Sequence, residues 1–167
     1  VVRACALCHY PNGQGRPENA GVAGLPVSYF IQQMDDFRND LRHSSEPRKN
    51  NARTMTQIAK NMTEEEIVAA AEYFGAQPWR PWVRVVETDT VFESYTLGGI
   101  YLPVDCEIDI FTECQATAAT SNTEPIGLRI VETPENIEHA EVHRNPRSGW
   151  IAYVPVGAVE KGRALAE

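Results

Sequence analysis

The feature that most constrains this chain is Cys5-Ala6-Leu7-Cys8-His9. Two thiols three positions apart, followed at once by an imidazole, form the C-x-x-C-H attachment signature of a c-type haem. Read as the start of a helix, this spacing lets each thiol add to one vinyl group of the same porphyrin. The imidazole then sits beneath the iron as its proximal ligand. A covalent link lets a haem persist in a domain too small to cage it by burial alone. Two other chemistries use a similar Cys pair. A zinc site needs further Cys or His at ligand spacing nearby, and none follows. A thioredoxin-like redox pair needs a βαβ context, which the neighbouring segments do not supply.

With 167 residues, 43% of them hydrophobic and 23% charged, the chain can bury a core in one or two domains. No apolar run reaches the length of a membrane span. The formal charge is −8, and two haem propionates would deepen it. That balance argues against nucleic acid and anionic membrane surfaces, and favours a basic or neutral redox partner protein. The sequence starts four residues before Cys5, which reads as a truncated or processed beginning.

Residues 1–78 read as one helical domain. Tyr10 to Pro26 is rich in Gly, Pro and Asn, as expected of a loop that wraps a haem edge. Pro26 starts a helix near Val27 to Leu41, with Phe30, Met34, Phe37 and Leu41 in one apolar stripe. Tyr29 and Gln33 lie beside that stripe and are candidates to face the haem pocket. His43 to Arg53 reads as a solvated loop, and Thr54 to Ala59 as a short helix or turn. Thr63 and Glu66 form the capping box of a helix that runs to Gln77. Its buried face is Ile67, Ala70, Ala71 and Phe74.

An electron-carrying haem iron takes a second axial ligand, usually Met or His. Met34 falls in the apolar stripe and reads as core. Met62 precedes the N-cap and opposes Ile67 as a hydrophobic staple. Met55 sits in the polar run Asn50 to Gln57, where no packing pattern accounts for it. Met55 is therefore assigned as the distal ligand, with His43 as the rival.

The first domain resembles a class I cytochrome c of the small bacterial c4/c553-like kind. The resemblance runs through the C-A-L-C-H site, Asn12-Gly13-Gln14-Gly15, Ala23-Gly24, Pro26, Tyr29, Gln33 and Phe37-Arg38. It continues through Met55 to Ile67 and Ala71 to Phe74. It implies electron transfer by one covalent haem c with His9 and Met55 as iron ligands, and an extracytoplasmic location, periplasmic or extracellular. Three residues depart from the pattern. Tyr10 replaces a Gly, Met62 replaces a Leu, and Gly21 stands where a Pro usually offers its carbonyl to the proximal imidazole. The family's N-terminal helix is also missing, which leaves one side of Tyr73 and Phe74 expected to be exposed.

Residues 79–155 read as a small, mostly antiparallel β module. The expected strands are Trp82 to Glu87, Val91 to Leu97, Ile100 to Val104, Ile126 to Glu132, Ala140 to Arg144 and Trp150 to Val154. Gly98-Gly99 is a hairpin turn, and Ala116 to Glu124 a loop. Cys106 and Cys114 are expected to be disulfide-bonded in an oxidising compartment. His139 and His143 read as part of a solvated face. The module resembles the segment between two haem domains in some bacterial dihaem cytochromes. Residues 156–167 read as a helix or linker that resembles the opening helix of a cytochrome c domain. Three origins fit it: a fragment of a dihaem protein, head-to-tail completion of a neighbouring copy, or a tail folded back on its own domain.

The expected fold class is α+β: an all-α class I cytochrome c domain, then the β module and a C-terminal helix. The expected function is electron transfer without substrate chemistry of its own. The rivals are a haem-wire subunit of a cytochrome polymer, and a haem peroxidase or gas sensor. The last pair needs an open sixth position, which a Met55 ligand would close.

Overall fold

The computed structural model describes residues 2–44, 50–97, 100–104 and 122–167. The chain divides into two compact units, Val1–Arg80 and Pro81–Glu167. The first unit is helical and the second combines small sheets with a terminal helix, so the fold is mixed α+β.

The first unit holds α1 (Val2–His9), α2 (Val27–Arg38), α3 (Asn51–Asn61) and α4 (Glu64–Gly75). Pro26 starts α2, since its ring presets φ at −54° and its missing N–H is no loss at a helix start. The stripe on α2 ends earlier than its spacing suggests. Asp40 takes a left-handed φ of 57°, the helix stops at Arg38, and Leu41 is 71% exposed. In α3 the run is longer than expected, eleven residues from Asn51. Helix α4 opens with the anticipated capping box. Thr63 N donates to Glu66 Oε2 at 3.0 Å, and Glu66 N donates to Thr63 Oγ1 at 3.3 Å.

Met34, Ala59 and Ile67 form the core where α2, α3 and α4 meet, flanked by Phe30, Ile31, Phe37, Met55 and Met62. Ile67, Ala70, Ala71 and Phe74 are all fully buried. The expected exposure of Phe74 is therefore corrected. Its ring stacks on Phe30 at 6.2 Å and meets Tyr73 edge-on at 5.1 Å. Tyr73 is 36% exposed and donates its hydroxyl to the Pro11 carbonyl at 2.8 Å. Arg38 ties α2 to the α3–α4 corner. Its guanidinium donates to the Ala59 and Met62 carbonyls at 3.1 and 3.0 Å and pairs with Glu64. A cation on the last carbonyls of α3 also complements that helix's dipole.

The second unit holds β1 (Val83–Glu87), β2 (Thr90–Phe92), β3 (Ser94–Leu97), β4 (Ile100–Pro103), β5 (Thr123–Pro125), β6 (Val131–Pro134), β7 (Trp150–Val154) and α5 (Ala158–Ala166). Strand β7 lies between β1, which it pairs in parallel, and β6, which it pairs antiparallel. Both edges of β7 are thus paired, and its successive residues are buried on both faces, which suits the nearly continuous apolar run Trp-Ile-Ala-Tyr-Val. Antiparallel pairs β2–β5 and β3–β4 complete the sheets. One core gathers Ile100, Leu102, Ile137, Ala140 and Trp150, and another Val91, Phe92, Ile126 and Val131.

Several expected strands differ. Val91 to Leu97 breaks at Glu93, whose N–H goes to Asn122 and whose carbonyl accepts from Val104. Ile126 to Glu132 starts with a turn at Gly127, φ 61°, and is a strand only from Val131. Ala140 to Arg144 is no strand at all. Glu138–Val142 is a π-helical turn, with His143 N bonded to the Glu138 carbonyl at 3.0 Å. Burying Ile137 and Ala140 on one side, three residues apart, requires helical backbone rather than an alternating strand. Thr123 and Glu124, the end of the expected loop, instead belong to β5. Helix α5 has no buried residue. Its start is held by Val159 N donating to Glu87 Oε1 at 2.8 Å.

Candidate haem-binding site

The C-x-x-C-H segment closes α1 rather than starting a helix. Cys5 and Cys8 lie one turn apart as free, half-buried thiols. Burial pushes the Cys5 thiol pKa up. The helix ends because Tyr10 adopts a left-handed φ of 60°. This is the position where the resembled family usually carries Gly, and a tyrosine pays about 1–2 kcal/mol for that geometry. Its side chain is only 2% exposed, so the burial gained offsets the strain.

The loop after Tyr10 is shaped by two left-handed glycines, Gly13 at φ 69° and Gly15 at φ 73°. Gly15 N donates to the His9 carbonyl at 2.8 Å, and the Gly13 carbonyl accepts from Val22 N and Ala23 N at 2.7 and 2.9 Å. These bonds fold the chain back over α1. The Ala20 carbonyl then lies 2.7 Å from His9 Nδ1. The carbonyl expected at Gly21 is thus supplied one residue earlier, by Ala20. A Cβ on Gly15 would lie 2.5 Å from this same oxygen, so only glycine leaves room for it.

A carbonyl can only accept, so Nδ1 carries the proton and Nε2 keeps its lone pair for a metal. Burial lowers the His9 pKa, with the Ala20 bond opposing it. A neutral imidazole with a fixed tautomer is a competent iron ligand. Paired thiols, such an imidazole and thioethers in the same unit fit the donor chemistry of a covalently attached haem.

Met55 lies on α3, half-buried against Met34, Ala59 and Ile67. Met55 and Ala59 share a helical face, so packing does account for its apolar side chain, against the sequence reading. Met34 is enclosed in that core, and Met62 ends α3 beside it. Tyr29 is 47% exposed on α2. Gln33 is engaged on the same helix, donating to Asp36 Oδ2 at 3.2 Å and accepting from Arg42. His43 is exposed beside an open cleft lined also by Asp40, Arg42, Ala52 and Arg53. Cys106 and Cys114 lie outside the described residues. His139 and His143 have ring centroids 6.2 Å apart, and His143 Nε2 is 3.3 Å from Glu138 Oε1. Among the described residues no group of three or more His, Cys, Asp or Glu is placed to hold a metal ion.

Sequence reasoning missed Asn51. Its amide donates to the Glu18 carbonyl at 3.0 Å and to Asn19 Oδ1 at 2.7 Å. The Asn50-Asn51 pair ahead of Met55 was the available signal, since such residues mark helix starts.

Residues 1–76 match the family model for Cytochrome c. The first unit is a class I c-type cytochrome domain. Cytochrome c-552 of Acidithiobacillus ferridurans is 33% identical over 75 residues, which is 45% of this chain. The chain spans 29% of that relative's length. Proteins of the cytochrome c family are electron carriers rather than enzymes. Among the described residues of this chain, no helix is long and apolar enough to cross a membrane.

Proposed function

We propose that this chain carries single electrons through one haem c, attached at Cys5 and Cys8 and ligated by His9 and Met55. The observation that carries the reading is the His9 Nδ1–Ala20 contact, which leaves Nε2 as the ligating atom. When bound, a haem supplies an iron that cycles between ferric and ferrous states. The protein's part is to hold that iron with little change between the two. Cys5 and Cys8 fix the porphyrin to α1. The Gly13–Gly15 loop keeps the imidazole in one tautomer. A Met55 thioether favours ferrous iron and so raises the potential. Tyr29 and Gln33 border the same pocket from α2.

The reading extends to the rest of the chain. The cytochrome domain covers residues 1–78, residues 79–155 orient redox partners or space successive haems, and residues 156–167 form a C-terminal helix or linker. The location is extracytoplasmic, where the thioether bonds of haem c are made. The partners are redox proteins of basic or neutral surface.

Replacing Met55 with Ala tests the ligand set. The variant is expected to lose the ferric charge-transfer band of thioether sulfur on iron and to bind carbon monoxide when reduced. Native protein that already binds carbon monoxide readily would overturn the carrier reading. Intact mass of the native protein gives haem number and disulfide state together.

A further inference from the structure

The loop that holds His9 is itself tied to the helix that bears Met55, and one side chain makes the tie. Residues 16–19 form a closed knot. Arg16 N donates to the Asn19 carbonyl at 3.2 Å, and Asn19 N donates to the Arg16 carbonyl at 2.8 Å. The Arg16 and Glu18 side chains pair at 2.6 Å and are only 5% and 4% exposed. Asn19 Nδ2 donates to Glu18 Oε1 at 3.3 Å, which turns its Oδ1 outward as an acceptor. Asn51, the first residue of α3, meets this knot with both hydrogens of its amide. One goes to the Glu18 carbonyl and one to Asn19 Oδ1. The next residue along the loop is Ala20, whose carbonyl fixes His9. Met55 stands one helical turn after Asn51 on α3.

We infer that Asn51 is a positioning residue that couples the two axial ligands. It links the backbone on which the proximal imidazole rests to the first turn of the helix that bears the distal thioether. The inference rests on the His9/Met55 reading above. A plain role in helix formation is a different thing, because Ala is a better helix former than Asn. On that role alone, Asn51→Ala would leave α3 as stable or more so. On the coupling role it loosens Met55 while leaving haem attachment and His9 in place.

The test uses the full chain with its haem attached and measures how tightly added imidazole binds ferric iron in competition with Met55. Losing two partly buried hydrogen bonds is expected to tighten imidazole binding about fivefold to tenfold in Asn51→Ala. The thioether-to-iron band should weaken in parallel. Asn51→Asp, isosteric but facing two oxygen acceptors with no N–H to give, should go further. Thr54→Ala, an exposed change on the same helix, should bind imidazole as the native protein does. Asn19→Ala removes the acceptor from the other side, shifts binding in the same direction, and adds little to Asn51→Ala when the two are combined. It also keeps the question answerable should Asn51→Ala accumulate poorly. If the native protein shows the thioether band and both Asn51→Ala and Asn19→Ala bind imidazole as it does, the coupling is wrong and the ligand set stands. If the native protein lacks that band, the ligand set fails and the coupling falls with it.

Discussion

The two units spend their special residues differently. In the cytochrome domain, left-handed backbone gathers beside the chemistry: Tyr10, Gly13 and Gly15 are all left-handed within seven residues of Cys8, whereas Gly24 and Asp40 turn the chain elsewhere. The result of the first three is one carbonyl placed against one imidazole. In the β unit, the left-handed positions Gly127, Arg144 and Gly157 turn the chain between elements, and Gly127 and Gly157 have open space around them. Its buried side chains, Trp150 above all, serve two small cores. Strain that crowds a ligand marks a site, whereas strain in open space marks a turn.

The sharpest separation of the units comes from removing the thiols. Cys5→Ala with Cys8→Ala is expected to abolish covalent haem, read as loss of the haem mass increment. The circular dichroism of the β unit should be unchanged. The converse change is Trp150→Ala. It deletes the largest fully buried side chain and should destabilise the second unit by about 3–5 kcal/mol. Denaturant melts would show a new early transition, while the haem spectrum stays native. A haem spectrum that moved with it would break the division.

A matched glycine pair probes strain in the two settings. Gly157→Ala, with nothing within 4 Å of the added carbon, should cost only the backbone penalty of about 1 kcal/mol. Gly15→Ala carries that penalty and also pushes on the Ala20 oxygen. It should cost roughly 2 kcal/mol or more and shift the proton-magnetic-resonance signal of the His9 ring, where Gly157→Ala does not. Equal costs with an unmoved His9 signal would remove the claim that Gly15 shapes the site.

The smallest effect concerns acid stability of the β unit. Desolvation pushes the Glu124 carboxyl upward, but hydrogen bonds from Arg129 and Ser94 outweigh it, so its pKa lies below the usual carboxylate value. A carboxylate held low contributes stability above its ordinary range, and that contribution disappears as pH falls through the folded-state value. Both side chains are about one third exposed, 37% for Arg129 and 31% for Glu124, so solvent screening keeps the term under about 1 kcal/mol. Arg129 also donates to the Ile126 and Pro125 carbonyls, which do not titrate, so Arg129→Leu should lower the second unit's melting midpoint at both pH values, and slightly more at neutral pH than at about pH 2, well below the ordinary carboxylate value.

The haem signature, the capping box and the stripe on α2 were legible because each depends on neighbours within a turn or two. Spacing alone brings Thr63 to Glu66 and Phe30 to Met34. Leu41 failed because a single left-handed residue, Asp40, ends the period, and the only mark of it in the sequence is the Asn39-Asp40 pair, residue types that tolerate that geometry. Met55 was singled out for lacking a packing partner, and α3 supplied one by starting three residues before Thr54. The strand expected over Ala140 to Arg144 failed because Ile137 and Ala140 must bury together against Trp150, a residue ten positions further on.

The sequence by itself determined the chemistry this protein can perform. Covalent attachment needs only two thiols and an imidazole at fixed short range, and those are adjacent in the chain. Tertiary structure alone decided which carbonyl meets His9, that Asn51 reaches the same loop from 32 positions away, and that β1 runs parallel to β7. Those contacts join distant segments, and their geometry depends on how the glycine turns and helix ends aim the backbone, which no local spacing specifies.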